Sequence, residues 1–223
     1  MIGAGGGSGP GGIDRVVADL VRRVESSFFG KYRGLVVDNA DPQKIGRLKL
    51  RVPSVLGQDV VTGWALPCVP YGGADDQGIL MIPDVDAGVW VEFEEGDLEF
   101  PIWVGTYWSK PSGTTEIPKP NGEDGTEAGE AQDPPTKKII KTAKGHTVQF
   151  EDKDGEESVL VVEGQKGHFV LMNKDGITVQ DAAGNALVMS SDAVTLTAKA
   201  DLTIDASGQA VVITGKTIDF KKG

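Results

Sequence analysis

The 223-residue chain is long enough for one globular domain with an appendage, or for two small domains. Its formal net charge of -11 argues against nucleic acid as a partner, because phosphates repel so acidic a surface. Cys68 has no second cysteine to pair with, so we expect it to be a small buried side chain. The sequence has neither a secretion signal nor a long apolar span, and we expect assembly in the cytoplasm.

The chain begins with a glycine-rich arm over residues 1–12, in which Gly7, Gly9 and Gly12 match the spacing of a dinucleotide-binding loop. No strand precedes these glycines, so we interpret the arm as flexible and expect no cofactor. An amphipathic helix is predicted over residues 13–29. Its apolar residues recur at steps of three and four: Ile13, Val16, Val17, Leu20, Val21, Val24 and Phe28. This stripe must lie against the chain's own domain or against a partner, and the sequence favours neither.

Residues 30–108 have the pattern of five short strands separated by turns rich in Gly, Asp and Pro. Val89, Val91 and Phe93 alternate with polar or larger residues and share one face of the fourth strand. The strands are predicted at residues 32–37, 46–52, 62–68, 88–94 and 100–107. Five short strands in about 80 residues indicate a small Greek-key barrel of the oligonucleotide/oligosaccharide-binding (OB) type.

An acidic segment rich in Pro and Gly, residues 109–136, is predicted to be a linker. From residue 137 to 223 the chain changes to short alternating runs with almost no aromatic residues. The clearest runs are at 176–179, 194–197, 202–205 and 217–220. Each strand is too short to bury its apolar side alone, so we expect several copies to share one core and form a rigid rod.

Six short motifs occur in one order along the chain. They are YRGLVVDN (32–39), GRLKLRVP (46–53), WALP (64–67), GVWVEFEEGD (88–97), PIWVG (101–105) and GHTVQFED (145–152). This ordered set resembles the baseplate-assembly V family, the central spikes of contractile phage tails and related injection machines, including the spikes of type VI secretion.

The resemblance implies an all-β protein with an N-terminal helix, an OB-fold collar over residues 30–108 and an intertwined trimeric β-helix needle over residues 137–223. Its implied partners are two further copies in a homotrimer, a hub protein, a PAAR-like tip protein and, transiently, the target cell envelope. Its implied location is the baseplate of a virion tail or of an extracellular injection particle. The short linker cannot encode the lysozyme domain of some relatives, so no enzymatic activity is expected.

Within this interpretation, residues are assigned to four surfaces. The trimer core is predicted to contain Val179, Leu196, Ile204, Ile213 and Ile218. Four residues are predicted to face solvent: Thr178, Thr195, Thr203 and Asp205. The tip protein is predicted to dock on Phe220, Lys221, Lys222 and Gly223. Because every arginine precedes residue 52, the hub is predicted to dock on basic residues of the collar, namely Arg33, Arg47, Lys49 and Arg51.

Catalytic and metal sites have weak support. Glycosidases use two carboxylates, and Asp84 with Asp86 or the group Glu92, Glu94 and Glu95 could supply them, but alternating acids on a strand more simply face water. His146 and His168 lack a common ligand spacing, so turn positions are expected and no metal site is predicted. Three symmetry copies of a histidine around an axial ion remain an open alternative.

The second interpretation of the chain is a binding module whose barrel recognises glycan or single-stranded nucleic acid and whose tail only oligomerises it. Trp64, Trp90, Trp103 and Trp108 could stack on bases. The segment that contains them has no lysine or arginine, whereas a single-strand groove needs basic residues, and we therefore expect no nucleic-acid partner.

Overall fold

The computed structural model describes residues 11–129 and 135–221, without the side chains at 11–13, 23 and 25. The chain divides into two compact units, Met1–Glu116 and Ile117–Gly223. Most of the glycine-rich arm, residues 1–10, lies outside the described residues.

The first unit begins with helix α1, Gly11–Glu25. The sequence predicts a longer helix, to residue 29, because Phe28 fits the helical spacing. Phe28 instead belongs to the barrel: its amide N–H donates to the carbonyl of Gly96 at 2.9 Å, and its ring lies 6.4 Å from that of Phe93. The apolar stripe of α1 is not covered by the barrel, and its side chains are 47–67% exposed: Val16, Val17, Leu20, Val21 and Val24.

Five strands follow: β1 Tyr32–Asp38, β2 Leu48–Arg51, β3 Val61–Pro67, β4 Gly88–Phe93 and β5 Pro101–Thr106. A short helix α2, Pro53–Leu56, lies between β2 and β3, and single 3-10 turns occupy Glu94–Gly96 and Pro111–Gly113. The strands close into a barrel in the order β1-β2-β3-β5-β4, with β3 and β5 parallel and the other pairs antiparallel. This topology confirms the predicted OB-type barrel.

The barrel core is built by alternation along the strands. Val89, Val91 and Phe93 of β4 are buried on one face, as the sequence predicts, and Leu48 and Leu50 of β2 are fully buried. The indole N–H of Trp103 donates to the carbonyl of Gly46 at 3.0 Å, so the buried polar end of this ring has a partner. The expectation for Cys68 is wrong: it follows the end of β3 and is exposed.

The second unit contains seven strands: β6 Lys137–Lys141, β7 Thr147–Glu151, β8 Ser158–Glu163, β9 His168–Asn173, β10 Gly176–Gln180, β11 Ala186–Met189 and β12 Val194–Thr197. They form one antiparallel meander in chain order. The runs predicted at 176–179 and 194–197 are strands β10 and β12. The runs predicted at 202–205 and 217–220 do not form strands, and no strand is present from residue 198 to 221.

The segment predicted as a linker, residues 109–136, is divided between the two units. Residues 117–129 fall in the second unit, where they form turns against one face of the sheet. We call residues 117–129 the strap. Unlike a solvated linker, the strap has a buried residue, Asn121.

Candidate trimer interface

One face of the β6–β12 sheet carries two rows of apolar side chains. Cross-strand pairing places one residue of each strand in the first row: Ile140, Val148, Val161, Val170, Val179, Leu187 and Leu196. The same register aligns the second row: Lys138, Phe150, Val159, Met172, Ile177, Met189 and Val194. Apart from Lys138, every member of both rows is apolar. We call this surface the apolar sheet face.

The apolar sheet face is exposed in a single chain. Val179 near its middle is 41% exposed, and Leu196 and Val194 on β12 are 59% and 71% exposed. Apolar surface that runs without interruption across seven strands is typical of a protein interface rather than of a solvated surface. Among the described residues β12 pairs only with β11, so the edge of the sheet next to residue 198 is also available for pairing.

The opposite face of the sheet is covered by the strap at the end formed by β6–β9. Asn121 donates its amide N–H to Gln149 Oε1 at 2.9 Å, and Gln149 Nε2 donates to the Asn121 carbonyl at 2.9 Å. The hydroxyl of Thr147 also lies 3.1 Å from Asn121 Oδ1. Leu160, Val162, Phe169 and Leu171 form a small buried cluster on the same side. Over β7–β9 this face is therefore covered within the chain, whereas Val188 of β11 and Thr195 of β12, farther along the same face, are exposed.

A buried ion pair lies beside the strap, between Lys137 of β6 and Glu151 of β7. Burial raises the pKa of the Glu151 carboxyl, but hydrogen bonds from Lys137, Thr136 and the amide of Lys153 outweigh it and hold that pKa at about 2. The Glu151 side chain is 3% exposed. It remains charged at neutral pH because its partners replace the water that burial removes.

The five predicted core residues fall in two regions. Val179 and Leu196 lie in the first row of the apolar sheet face, whereas Thr178 and Thr195 lie on the opposite face. Ile204, Ile213 and Ile218 lie beyond the last strand, in a segment without regular secondary structure, and are 47–67% exposed. Thr203 and Asp205 in the same segment are exposed as well. The structure therefore places two of the five predicted core residues in one row and the other three outside the sheet.

The predicted tip-docking residues are described only in part. Phe220 is 89% exposed, and Lys221 is also exposed. Lys222 and Gly223 lie outside the described residues.

Of the predicted hub-docking residues, Arg47 is the one most fully engaged within the collar. Its Nη2 and Nε donate to Asp41 Oδ1 at 2.7 and 3.1 Å, and its guanidinium lies 5.5 Å from the centre of the Trp64 ring. The Arg47 hydrogen bonds, with further ones from the amides of Ile45 and Gln43, hold the pKa of the Asp41 carboxyl well below its ordinary value. This pair fixes the loop before β2.

Two of the other three basic residues, Arg33 and Lys49, lie against aromatic rings of the collar. The Arg33 guanidinium lies 5.6 Å from the ring centre of Trp90 and 5.4 Å from that of Tyr107. Lys49 Nζ lies 4.8 Å from the centre of the Trp64 ring. Arg51 is half-buried, and no hydrogen-bond partner of its Nε is found among the described residues. Cation–π packing of this kind holds long side chains in place while leaving part of their charge exposed.

The two histidines and one acidic candidate, Glu92, have side-chain partners. His146 Nδ1 accepts from the amide of Gly164 at 3.2 Å, and His168 Nδ1 accepts from the amide of Ala182 at 3.0 Å, so each imidazole links two segments that are distant in sequence. His168 is the first residue of β9 and does not occupy the expected turn position. Glu92 pairs with Lys31 at 2.6 Å. Across residues 11–129 and 135–221, no group of three His, Cys, Asp or Glu side chains is placed to hold a metal ion.

The strap is the functional element that sequence reasoning missed. The one signal for it is in β7, where Thr147, Gln149 and Glu151 alternate with Val148 and Phe150. That pattern indicates a polar outer face, but these three polar side chains are the buried ones. A buried amide side chain requires partners, and the strap supplies them.

Two family models match the chain. Residues 32–108 match the type VI secretion system/phage-baseplate injector OB domain, and residues 137–200 match the phage baseplate V C-terminal trimerisation domain. Barrel and tail thus define a structural protein of the baseplate spike type. The two matches together span more than half of the sequence, and the chain belongs to the phage baseplate V family of spike proteins. No curated protein matches it.

The family places the protein in a phage tail or an injection particle. Within the part of the chain that the structure describes, no helix has both the length and the apolar composition required to cross a membrane.

Proposed function

We propose that the protein is the central spike of a contractile tail or injection apparatus, and that three copies join through the apolar sheet face. The observation that carries the proposal is the pair of seven-residue rows on that face. Three such sheets facing a common axis would bury both rows at once. Burial is worth about 25 cal/mol per Å² of apolar surface, so folding of the tail and trimerisation would be coupled.

Residues 198–221 continue the needle in this proposal. They expose Leu202, Ile204, Val212 and Ile213 and form no strand in a single chain. A buried backbone needs hydrogen-bond partners, and those partners would come from neighbouring copies in an intertwined β-helix. Such pairing would leave no lateral edge and would give the rod stiffness under compression.

The collar would dock under the hub with its basic residues. Arg33 is exposed and Lys49 is 39% exposed at its side chain, so these two can offer charge to a partner. Arg47 is held by Asp41, so it would keep the loop before β2 in place rather than contact the hub. Arg51, half-buried beside them, completes the surface.

The mechanism that we propose is mechanical and involves no catalysis. Sheath contraction would drive the needle into the target envelope, with a PAAR-like protein seated on the exposed end at Phe220 and Lys221. The mature location would be the baseplate of a virion tail or of an extracellular injection particle.

Light scattering tests the assembly. The purified chain is expected to have three times its mass of 23.5 kDa. Val179→Asp places a charge in the first row and is expected to give a monomer whose collar retains native tryptophan fluorescence. Thr195→Asp, on the opposite face of the sheet, is the matched control and is expected to remain trimeric. A monomeric wild type, or a trimeric Val179→Asp, contradicts the proposal.

Co-purification tests the docking. The probe is the hub protein of the same tail or injection particle, mixed with the purified trimer. Lys49→Glu with Arg33→Glu is expected to weaken the complex, whereas Lys166→Glu in an exposed turn of the tail is expected to leave it unchanged. Equal retention of both variants by the hub would exclude the basic collar surface as the docking site.

A binding module for glycan or single-stranded nucleic acid is the rival function. The Trp64 ring is covered on one side by Lys49, and the Trp90 ring by Arg33, so basic residues lie beside tryptophans whose own segment has none. The expectation that these rings lack basic neighbours is therefore wrong, and the net charge of -11 is what disfavours nucleic acid as a partner.

A further inference from the structure

Helix α1 exposes a broad apolar stripe that the collar does not cover. Val17, Leu20 and Val24 are 51%, 56% and 67% exposed, and Val16 and Val21 lie beside them. With 3.6 residues per turn, these five positions cover an arc of about 140°. A 15-residue helix is marginal in water without such packing, so the stripe needs an occupant.

The stripe has the register of a coiled coil. Val17 and Val24 are seven residues apart and take position a, and Leu20 takes position d. Val16 and Val21 then take positions g and e, which face each other between neighbouring parallel helices. Arg15 and Arg22 at f and Asp19 at c fall on the outside of such a bundle, whereas Asp14 at e and Arg23 at g lie at the margin of its core. Positions a and d carry no charge, so self-association of α1 brings no charges together at the centre of the bundle.

We propose that the occupant is the same helix of the other two copies, and that the three α1 helices form a parallel coiled coil. This rests on the homotrimer of the proposed function. Copies joined by their tails hold their helices at an effective concentration in the millimolar range, where short apolar helices associate although they would not do so alone. The a and d residues alone do not select three strands, so the tail sets the number of helices.

The short connection to the collar supports this arrangement. Only Ser26 and Ser27 separate α1 from Phe28, which is anchored in the barrel by its bond to Gly96. Each helix is therefore held next to its own collar, and threefold symmetry places the three helices around one axis. The N-terminal bundle would fasten the collar at the end of the chain opposite the tail.

Cysteine cross-linking tests the bundle in the full-length trimer. The exposed Cys68 is first replaced by serine, and Val17→Cys is compared with Ala18→Cys, its neighbour at position b. Disulfides require Cβ atoms within about 4.5 Å, so mild oxidation is expected to cross-link Val17→Cys about tenfold faster than Ala18→Cys. The rate should not depend on protein concentration, because the cross-link forms within one trimer.

A second variant gives an independent readout. Leu20→Asp is expected to keep the mass of a trimer while trypsin cleaves after Arg22 several-fold faster than in the wild type, as an open helix is a better substrate. Two outcomes overturn the coiled coil in a protein that light scattering shows to be trimeric: equal cross-linking at positions 17 and 18, or unchanged cleavage of Leu20→Asp. Either outcome leaves the spike proposal standing. A monomeric wild type overturns both.

Discussion

Asn121 and Gln149 exchange two hydrogen bonds, and each connects the backbone of the strap to a side chain of strand β7. The amide N–H of Asn121 donates to Gln149 Oε1, and Gln149 Nε2 donates back to the Asn121 carbonyl, both at 2.9 Å. The Gln149 side chain therefore pairs with the backbone of Asn121 as a neighbouring strand would, because it satisfies both the N–H and the carbonyl of that residue. This pair holds the strap against one face of the tail sheet.

Gln149→Leu is expected to release the strap and destabilise the tail by about 2–4 kcal/mol, because each orphaned buried group costs about 1–3 kcal/mol. Urea unfolding followed by far-UV circular dichroism measures the loss. Trp64, Trp90, Trp103 and Trp108 all lie in the first unit, so tryptophan fluorescence reports the collar alone and should not change. Gln209→Leu, at an exposed position of the tail, is the matched control. A tail of unchanged stability in Gln149→Leu would show that the strap is dispensable.

Acid is expected to weaken the tail through Glu151. Its pKa is about 2 in the folded chain and 4.5 ordinarily, so the folded state binds its proton less readily than the unfolded state does. The contribution of the carboxylate to stability is thus fully present above about pH 4.5 and is lost as the pH falls towards 2. The measurement is the urea midpoint of the tail at several pH values.

Glu151→Gln isolates this effect. The variant is expected to be less stable at neutral pH, since Lys137 loses its charged partner, and to lose less stability than the wild type between pH 4.5 and 2. Glu157→Gln, on an exposed side chain nearby, should retain the wild-type dependence. If both variants follow the wild-type pH curve, another group causes the acid sensitivity.

The barrel could be predicted from the sequence because its strands alternate and its turns carry Gly, Asp and Pro. Val89, Val91 and Phe93 belong to one face whatever the rest of the chain does, and the structure buries all three. Phe28 shows the limit of periodicity. It fits the helical spacing after Val24, but its bond to Gly96 depends on how distant segments meet.

The tail was predictable in kind but not in detail. Alternation along each strand predicts that Val179 and Leu196 lie on an apolar face. Which residues of the seven strands align into one row cannot be predicted in this way, because the register depends on the length and geometry of six turns. The strap has no apolar periodicity, and its partners Thr147 and Gln149 resemble solvent-facing residues. Ile204 illustrates a third limit, because a side chain that we propose to be buried by other copies is exposed in a single chain.

Leu50 of β2 is expected to be a major contributor to collar stability. It is fully buried in the barrel core, and Leu→Ala at such a site costs about 2–5 kcal/mol through lost burial and the cavity that remains. Urea unfolding followed by tryptophan fluorescence measures this loss. Leu80→Ala removes the same atoms from a side chain that is 85% exposed, and it should change stability by less than about 0.5 kcal/mol. Similar costs at both positions would mean that the barrel core is misplaced.

A chain that ends at residue 200 is expected to remain trimeric. Both rows of the apolar sheet face lie before that point, and the family match to the trimerisation domain also ends at residue 200. In the proposed needle, the removed residues would form its far end, and the exposed side chains of Ile204, Ile213 and Ile218 would be buried by the other copies. Light scattering gives the mass of the truncated chain, and protease digestion of the full-length trimer tests whether residues 201–221 are protected in it.

The full-length chain with Ile204→Asp separates the two parts of the tail. It is expected to remain trimeric while becoming sensitive to protease after residue 200, because a buried unpaired charge opens only the segment that contains it. Val179→Asp, in contrast, is expected to lose the trimer altogether. If the truncated chain is monomeric, the far end of the tail rather than the apolar sheet face holds the three copies together.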